Sequence, residues 1–445
     1  MDSLWRKTAS LPQFEGLKTD LKTDVLIIGG GMAGVLCAYM LEQAGVDYAL
    51  VEADRVCGGV TGDTTAKITA QHGLIYHQLL QRFGEEKTKC YLQANQWAVD
   101  EYRRLCGGIK CEFQERENFV YSRYDQEKLE KEMAVLERLG APVRLVRRIP
   151  LPVSVMGAVG MAGQGQFHPL KFVEGLLPGL RIFEQTKVLE LKPGEAVTTG
   201  GTVRAEKIIV ATHFPMLNKH GSYFLKLHQH RSYVLALKNA PKIEQMYVDE
   251  NERGLSFRQY GEYLLLGGGG HRTGKQGRGW DQLEIFARRH WPDARVAFRW
   301  AAQDCMTLDA VPYIGRYSRH AGGLYVATGF NKWGMTSSMV AARVLSDLVQ
   351  EKHSPYETLF SPSRSILWPQ LAANAAQAVL GLVTPGPRCP HMGCVLKYNR
   401  QEHSWDCPCH GSRFTREGEL INGPASLTDN TGRETGIYTD NYNTT

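Results

Sequence analysis

The stretch "VLIIGGGMAGVLCAYMLEQAGVDYALVEAD", Val25 to Asp54, leaves few folds open to this chain. An apolar run, three consecutive glycines, an apolar-periodic segment and a second apolar run read as strand (Val25 to Ile28), glycine turn, helix to about Gln43, then strand (Tyr48 to Val51). The pattern G-x-G-x-x-G falls on Gly29, Gly31 and Gly34. A tight turn, close backbone approach to a pyrophosphate and close helix-strand packing each require a residue without a side chain there. Glu52 closes the second strand, where a carboxylate accepts both hydroxyls of an adenosine ribose and repels the extra phosphate of NADP. The element predicted is a dinucleotide-binding βαβ unit within an α/β fold.

Which dinucleotide is decided further along the chain. The loop "CGGVTGDTTAKITAQHG" after Glu52 is long and polar, with hydroxyls at Thr61, Thr64 and Thr65 and an imidazole at His72. It is suited to a pyrophosphate and a ring system, and NAD domains rarely need such a loop. "AEKIIVATHFP" is a buried strand ending in small residues, and "GLYVATGFNKWGMTSSMVAARVLSDLV" is strand, glycine turn and long helix. In this order the segments resemble the FAD-dependent oxidoreductases of the D-amino-acid oxidase family, which include glycine and sarcosine oxidases. The resemblance covers about residues 22 to 350 and implies FAD in a bilobal fold, with a sheet-based substrate domain inserted into a discontinuous FAD domain. It implies that Val188 meets the adenine, that Gly329 and Met335 lie at the flavin, and that the helix from Gly334 aims its positive end at the flavin ring.

For the substrate, the strand-like segments "HQHRSYVLAL" and "GLSFRQYGEYLLLGGGGHRTG" offer polar candidates, of which Arg258 and Tyr260 are carried forward. Lys332 occupies the place where glycine oxidase holds an arginine for the substrate carboxylate, so the resemblance implies a carboxylate contact for it. Lysine pairs with a carboxylate but lacks arginine's bidentate fork. No conventional general base stands out. Cys305 sits about three residues from where some sarcosine oxidases link FAD covalently, so it is expected to be a buried free thiol beside non-covalent FAD.

Near the end, "CPHMGC" and "CPCHGS" place Cys389 and His391 in one loop and Cys407 and His410 in another. A zinc site, a dithiol switch and an iron-sulfur cluster all use such residues. Zinc fingers usually group their cysteines before their histidines, whereas this alternation lets one iron take two sulfurs and its neighbour two nitrogens. The loops closely resemble Rieske 2Fe-2S proteins, which implies those four residues as ligands and a disulfide between Cys394 and Cys409. Ser412 matches a hydrogen-bond donor to a cluster sulfide, and Phe414 replaces a tyrosine donor of high-potential members. "GPA", Gly423 to Ala425, matches the loop that covers the cluster. Few residues remain for the usual base sheet, so the scaffold is expected to be truncated.

At 445 residues, 43% hydrophobic and 22% charged, the chain suits two or three domains. It contains no apolar run long enough to span a bilayer. The net charge of +6 is dispersed, which argues against a nucleic-acid partner. The N-terminus lacks an apolar signal core, so a cytoplasmic location is expected. The divisions expected are an N-terminal extension (1–21), a FAD-dependent oxidoreductase (22–350), a helical linker (351–385), a Rieske module (386–428) and a disordered tail (429–445). Within the oxidoreductase, the FAD domain takes about 22–100, 150–215 and 305–350, and an α+β substrate domain takes 101–149 and 216–304; the Rieske module is small and all-β. The activity expected is oxidation of a small amine or amino acid by hydride transfer to FAD, with electrons passed through the 2Fe-2S cluster to an unknown acceptor. Two rival readings are an NAD(P)H-linked protein feeding an oxygenase and a sensor whose cluster site is degraded. The first is weakened by the presence of a single nucleotide fingerprint.

Overall fold

A computed structural model of the chain describes residues 3–216, 221–365 and 368–425. The tail expected at 429–445 and the last residues of the Rieske module lie outside the described residues.

The first layer is built on Leu21–Ile28, whose residues Val25 to Ile28 are buried. This strand pairs in parallel with Tyr48–Val51 on one side and Gly201–Val210 on the other. Outward from Gly201–Val210 come Leu324–Thr328 in parallel and Tyr313–Arg316 antiparallel, and Ile182–Phe183 closes the opposite edge. The βαβ reading holds in detail. Gly29 has a φ of 109°, and a Cβ there would stand 2.7 Å from the Ala211 carbonyl oxygen; one at Gly34 would stand 1.9 Å from that of Gly29. The helix Met32–Gln43 packs against the long buried helix Gly334–Val349, so the first and last segments of this domain share one core.

The second layer is a nine-stranded sheet whose central run is Arg295–Thr307, Leu227–Lys238, Tyr263–Arg272, Ser256–Tyr260, Met246–Asp249 and Gln114–Ser122. Gly157–Gln166 pairs antiparallel with Gln114–Ser122, and the short strand Lys67–Ile68 pairs with Gly157–Gln166. The boundary expected near residue 150 therefore falls one strand early. "GAVGMAGQGQ" is nearly featureless in sequence, and only its partner assigns it to this layer. Among the described residues no helix is long and apolar enough to cross a membrane.

The Rieske module forms a four-stranded sheet in the order Lys397–Asn399, Ser404–Asp406, Arg413–Phe414, Leu420–Asn422. The helix expected in the linker is present as Trp368–Val383, but it is docked. Asn374, buried, donates to the Leu225 and Leu227 carbonyls at 2.8 and 3.1 Å and accepts from Arg272 at 2.5 Å. The N-terminal extension is also part of the fold, because Leu4 and Trp5 of the helix Leu4–Thr8 are fully buried.

Candidate active site and cluster site

One cavity of about 2720 Å³ runs between the layers and reaches the Rieske loops. At its nucleotide end lie Gly29, Gly31, Glu52, Thr61, Thr64, Thr65 and Val188. Gly34 sits behind them, in the helix-strand contact. Glu52 accepts from the backbone N–H of Gly30 at 2.6 Å and of Asp54 at 2.9 Å; burial raises its pKa, and these bonds counter the shift. Thr61 Oγ1 accepts from the Met32 N–H at 3.0 Å, which ties the threonine loop to the glycine turn. The side-chain-free cradle and the long groove beyond it suit a dinucleotide with a large ring system.

The threonine loop is held from outside by the N-terminal segment. Arg6 donates to the carbonyls of Gly58 and Gly59 at 2.6 and 3.0 Å and pairs with Asp63 at 3.2 Å, Trp5 Nε1 donates to the Thr64 carbonyl at 2.6 Å, and Ser3 donates to that of Gly62. Sequence reading missed this function, since nothing in the first residues announces where they dock.

At the ring end, His72, Gly329, Lys332, Gly334 and Met335 line the cavity. His72 bonds Tyr91 Oη at 2.7 Å, the Thr69 carbonyl at 2.8 Å and Thr336 Oγ1 at 2.9 Å, and stacks on Trp333 with ring centroids 5.0 Å apart. Burial draws its pKa down to about 3, so the ring is neutral. The turn before Gly334–Val349 carries two residues at positive φ, Asn331 at 51° and Lys332 at 71°. The Asn331 side chain secures that turn by accepting from the Thr307 N–H at 2.7 Å and donating to the Gly329 carbonyl at 2.8 Å. Lys332 is thus aimed by a constrained backbone, and its Nζ lies 3.4 Å from the Glu252 carbonyl oxygen.

The structure does not bring Arg258 or Tyr260 to the cavity wall. Arg258 is fully buried, donates to the carbonyls of Thr65, Ala66 and Phe167, and lies over the Trp5 ring. Tyr260 packs edge-on against Trp5 and His168. Both support the threonine loop from behind, which corrects the expectation of substrate contact. Residues that sequence reading passed over take the wall instead: Ser232 and Asp304 from neighbouring strands, Glu252, and Lys67, whose pKa burial lowers to about 7. Only the strand register could have grouped them.

In the Rieske module the two loops converge. The thiols of Cys389 and Cys407 stand within hydrogen-bonding reach, and the rings of His391 and His410 are 4.8 Å apart at 85°. His410 is buried beside the Cys407 thiol, and among the described residues its ring nitrogens have no oxygen or nitrogen partner, an arrangement that suits a metal-binding imidazole. The two loops thus bring a pair of thiols and a pair of imidazoles to one end of the module. Cys394 and Cys409 are free thiols, so the S–S bond expected between them is absent from this structure; their sulfurs and that of Cys407 lie within 4.8 Å of one another. Ser412 Oγ accepts from the Ala425 N–H at 3.1 Å, which ties Gly423 to Ala425 to the second loop.

The Rieske loops are also held by the flavin-side protein. Glu402 is gripped by Arg231 of the substrate sheet and, at 2.7 Å, by Arg413; Asn399 donates to Tyr233 Oη at 3.2 Å; and Gln303 donates to the Gly411 carbonyl at 2.7 Å. His410 packs edge-on against Phe214, ring centroids 5.3 Å apart. His391 and His410 therefore line the same cavity as the glycine cradle.

Comparison with known proteins agrees with both halves. The family model for the FAD dependent oxidoreductase (DAO) domain matches residues 24–348, and that for the Rieske [2Fe-2S] domain matches residues 382–431. A protein of Bacillus subtilis (strain 168), YhfW, named for a Rieske 2Fe-2S iron-sulfur centre, is 35% identical over 95% of this chain and 96% of its own. Gamma-glutamylputrescine oxidoreductase of Escherichia coli (strain K12) is 24% identical over 82% of this chain and 93% of its own. The crystal structure of glycine oxidase from Geobacillus kaustophilus matches with a TM-score of 0.64 at 20% identity, covering 78% of this chain and 100% of that one, a likeness of fold. FAD and a 2Fe-2S cluster are the cofactors of these two domains. The chain belongs to the FAD dependent oxidoreductase family and carries a C-terminal Rieske domain.

Proposed function

We propose that the protein oxidises a small amine or amino acid and passes the electrons to its own Rieske cluster for delivery to a separate acceptor. The observation that carries this reading is the single cavity: the histidines of the cluster loops and the glycine cradle line one continuous space. When bound, FAD supplies a two-electron acceptor for the hydride on the carbon next to the amine nitrogen, and the cluster supplies a one-electron outlet.

The chain's own residues orient and enclose. Gly29, Gly31, Glu52 and the threonine loop hold the dinucleotide, and the N-terminus of Gly334–Val349 offers unpaired N–H groups and a positive dipole end to the ring. Lys332 receives a carboxylate, and the docked Rieske module closes the far end against water. Cys389, Cys407, His391 and His410 hold the cluster, with Gln303 fixing the second loop through Gly411.

A panel of amines and amino acids added without oxygen tests the reading. A true substrate bleaches the flavin absorbance and produces the paramagnetic signal of a reduced Rieske cluster. In Cys407→Ser the iron is lost while flavin bleaching proceeds at a similar rate, because the chemistry lies in the other domain. A wild-type cluster that stays oxidised beside fully reduced flavin overturns the transfer, as does protein free of iron after anaerobic reconstitution.

A further inference from the structure

The sequence offers no evident base for an amine substrate, yet an amine reaching this cavity at neutral pH is an ammonium. Its nitrogen lone pair is tied up by a proton that has to leave before the carbon beside it can be oxidised. Among the carboxylates that line the cavity, Asp304 shares its wall with Lys332. Asp304 lies in Arg295–Thr307 directly opposite His230 of Leu227–Lys238, and Ser232 of that neighbouring strand donates to Asp304 Oδ2 at 3.4 Å. Lys332 reaches the same cavity from the turn before the flavin helix.

The charges around Asp304 are few. Burial raises its pKa; Lys332, the Ser232 hydroxyl and Arg231 act against that. Arg231 is committed to Glu402, and Arg272 to Asn374. His228 and His230, on the strand beside it, are neutral, since burial lowers their pKa values to about 4 and about 2. Glu252 sits at the rim, its side chain 66% exposed. Burial lowers the pKa of Lys332, and Asp304 followed by Glu252 counters the shift. Asp304 and Lys332 thus stand on the wall of one cavity with opposite charges, each favouring the charged form of the other. A zwitterion entering between them leaves each ion with a counter-charge, whereas a plain amine or a plain acid would leave one ion alone.

We propose that Asp304 binds the substrate's ammonium group and accepts one of its protons, while Lys332 holds the carboxylate, so that the site selects α-amino acids over simple amines. One N–H bond breaks, one O–H bond forms on Asp304, and the electron pair of the broken bond remains on nitrogen as its lone pair. The proposal rests on the amine or amino-acid reading above.

The test uses two ligands of the same carbon skeleton that cannot be oxidised: α-aminoisobutyrate, which lacks a hydrogen on the amine-bearing carbon, and isobutyrate, which lacks the amine. Binding to the FAD-loaded full-length protein is followed through the flavin spectrum. Wild type is expected to prefer α-aminoisobutyrate, Asp304→Asn to lose about tenfold or more of that preference, and Asp304→Glu to keep most of it, as expected for a charge-assisted contact. Lys332→Met should weaken both ligands. In parallel, flavin bleaching by a reactive amino acid should level off at a lower pH in wild type than in Asp304→Asn, where the neutral amine must come from solution. An unchanged ligand preference and pH profile in FAD-loaded Asp304→Asn overturns the assignment while leaving the amino-acid reading intact. If neither ligand binds wild type and simple amines bleach the flavin, both the carboxylate contact and this proposal fall.

Discussion

Cys305 shows how an environment decides what one side chain can do. It lines the cavity in a family where a cysteine can tether the flavin, but it is buried, and its neighbours are the Gln229 amide at 3.4 Å and the Thr328 hydroxyl at 3.6 Å. Burial raises the thiol pKa to about 11. A protonated thiol is a poor nucleophile, so the flavin is expected to be held without a covalent bond. Acid precipitation should release the yellow colour into solution from wild type and Cys305→Ser alike. Colour that stays with the wild-type pellet and leaves it in the variant would refute this.

The helix Leu4–Thr8 has a single turn and no stability of its own. Its order comes from burying Leu4 and Trp5 and from the bonds that Ser3, Trp5 and Arg6 make to the threonine loop. That loop lines the dinucleotide end of the cavity, so the segment is expected to act on cofactor affinity. Each part-buried hydrogen bond is worth about 1 kcal/mol. Removing residues 1–10 should therefore raise the FAD dissociation constant by about tenfold or more, measured by flavin retention on ultrafiltration with helix content unchanged. Equal retention in both proteins would mean that the loop keeps its shape unaided.

Taken whole, the molecule supports its Rieske module from the flavin-side sheet as well as from within. Among the described residues the core of the module consists of Cys389, Cys394, Leu396, Cys407, Phe414 and Ala425, and further contacts come from the substrate sheet. Glu402 is the joint. Burial by itself would raise its pKa, but Arg231 and Arg413 overcome this and hold it at about 2. A carboxylate depressed from about 4.3 in the unfolded chain contributes stability that is complete above that value and is lost as pH falls through about 2. Glu402→Gln leaves the buried Arg231 guanidinium without its paired carboxylate, while Arg413 keeps Asp406 at 3.1 Å, a change worth about 3 to 5 kcal/mol. The variant should lose iron at a lower temperature than wild type and no longer weaken between about pH 4 and 2, while flavin release is little changed. Iron loss that follows wild type at every pH would show that the module stands alone.

Local signals carried much of this protein. The glycine turn, Glu52, the strand-turn-helix ending at Val349 and the two cysteine-histidine loops are short-range patterns, in which each residue type is required by its immediate neighbours, and the structure shows them where the sequence places them. The sheet that owns Gly157–Gln166, the loop that Trp5 and Arg6 grip, and the strand that presents Asp304 beside Ser232 depend on pairings between distant segments, for which no local pattern exists. Arg258 and Tyr260 looked like substrate residues because polar side chains on an alternating strand suggest an exposed face. The fold turned that face inward against Trp5, and backbone carbonyls took the charge. Sequence determined which chemistries the chain can hold; tertiary structure decided which side chains share a cavity, because register and docking are set by burial over the whole molecule.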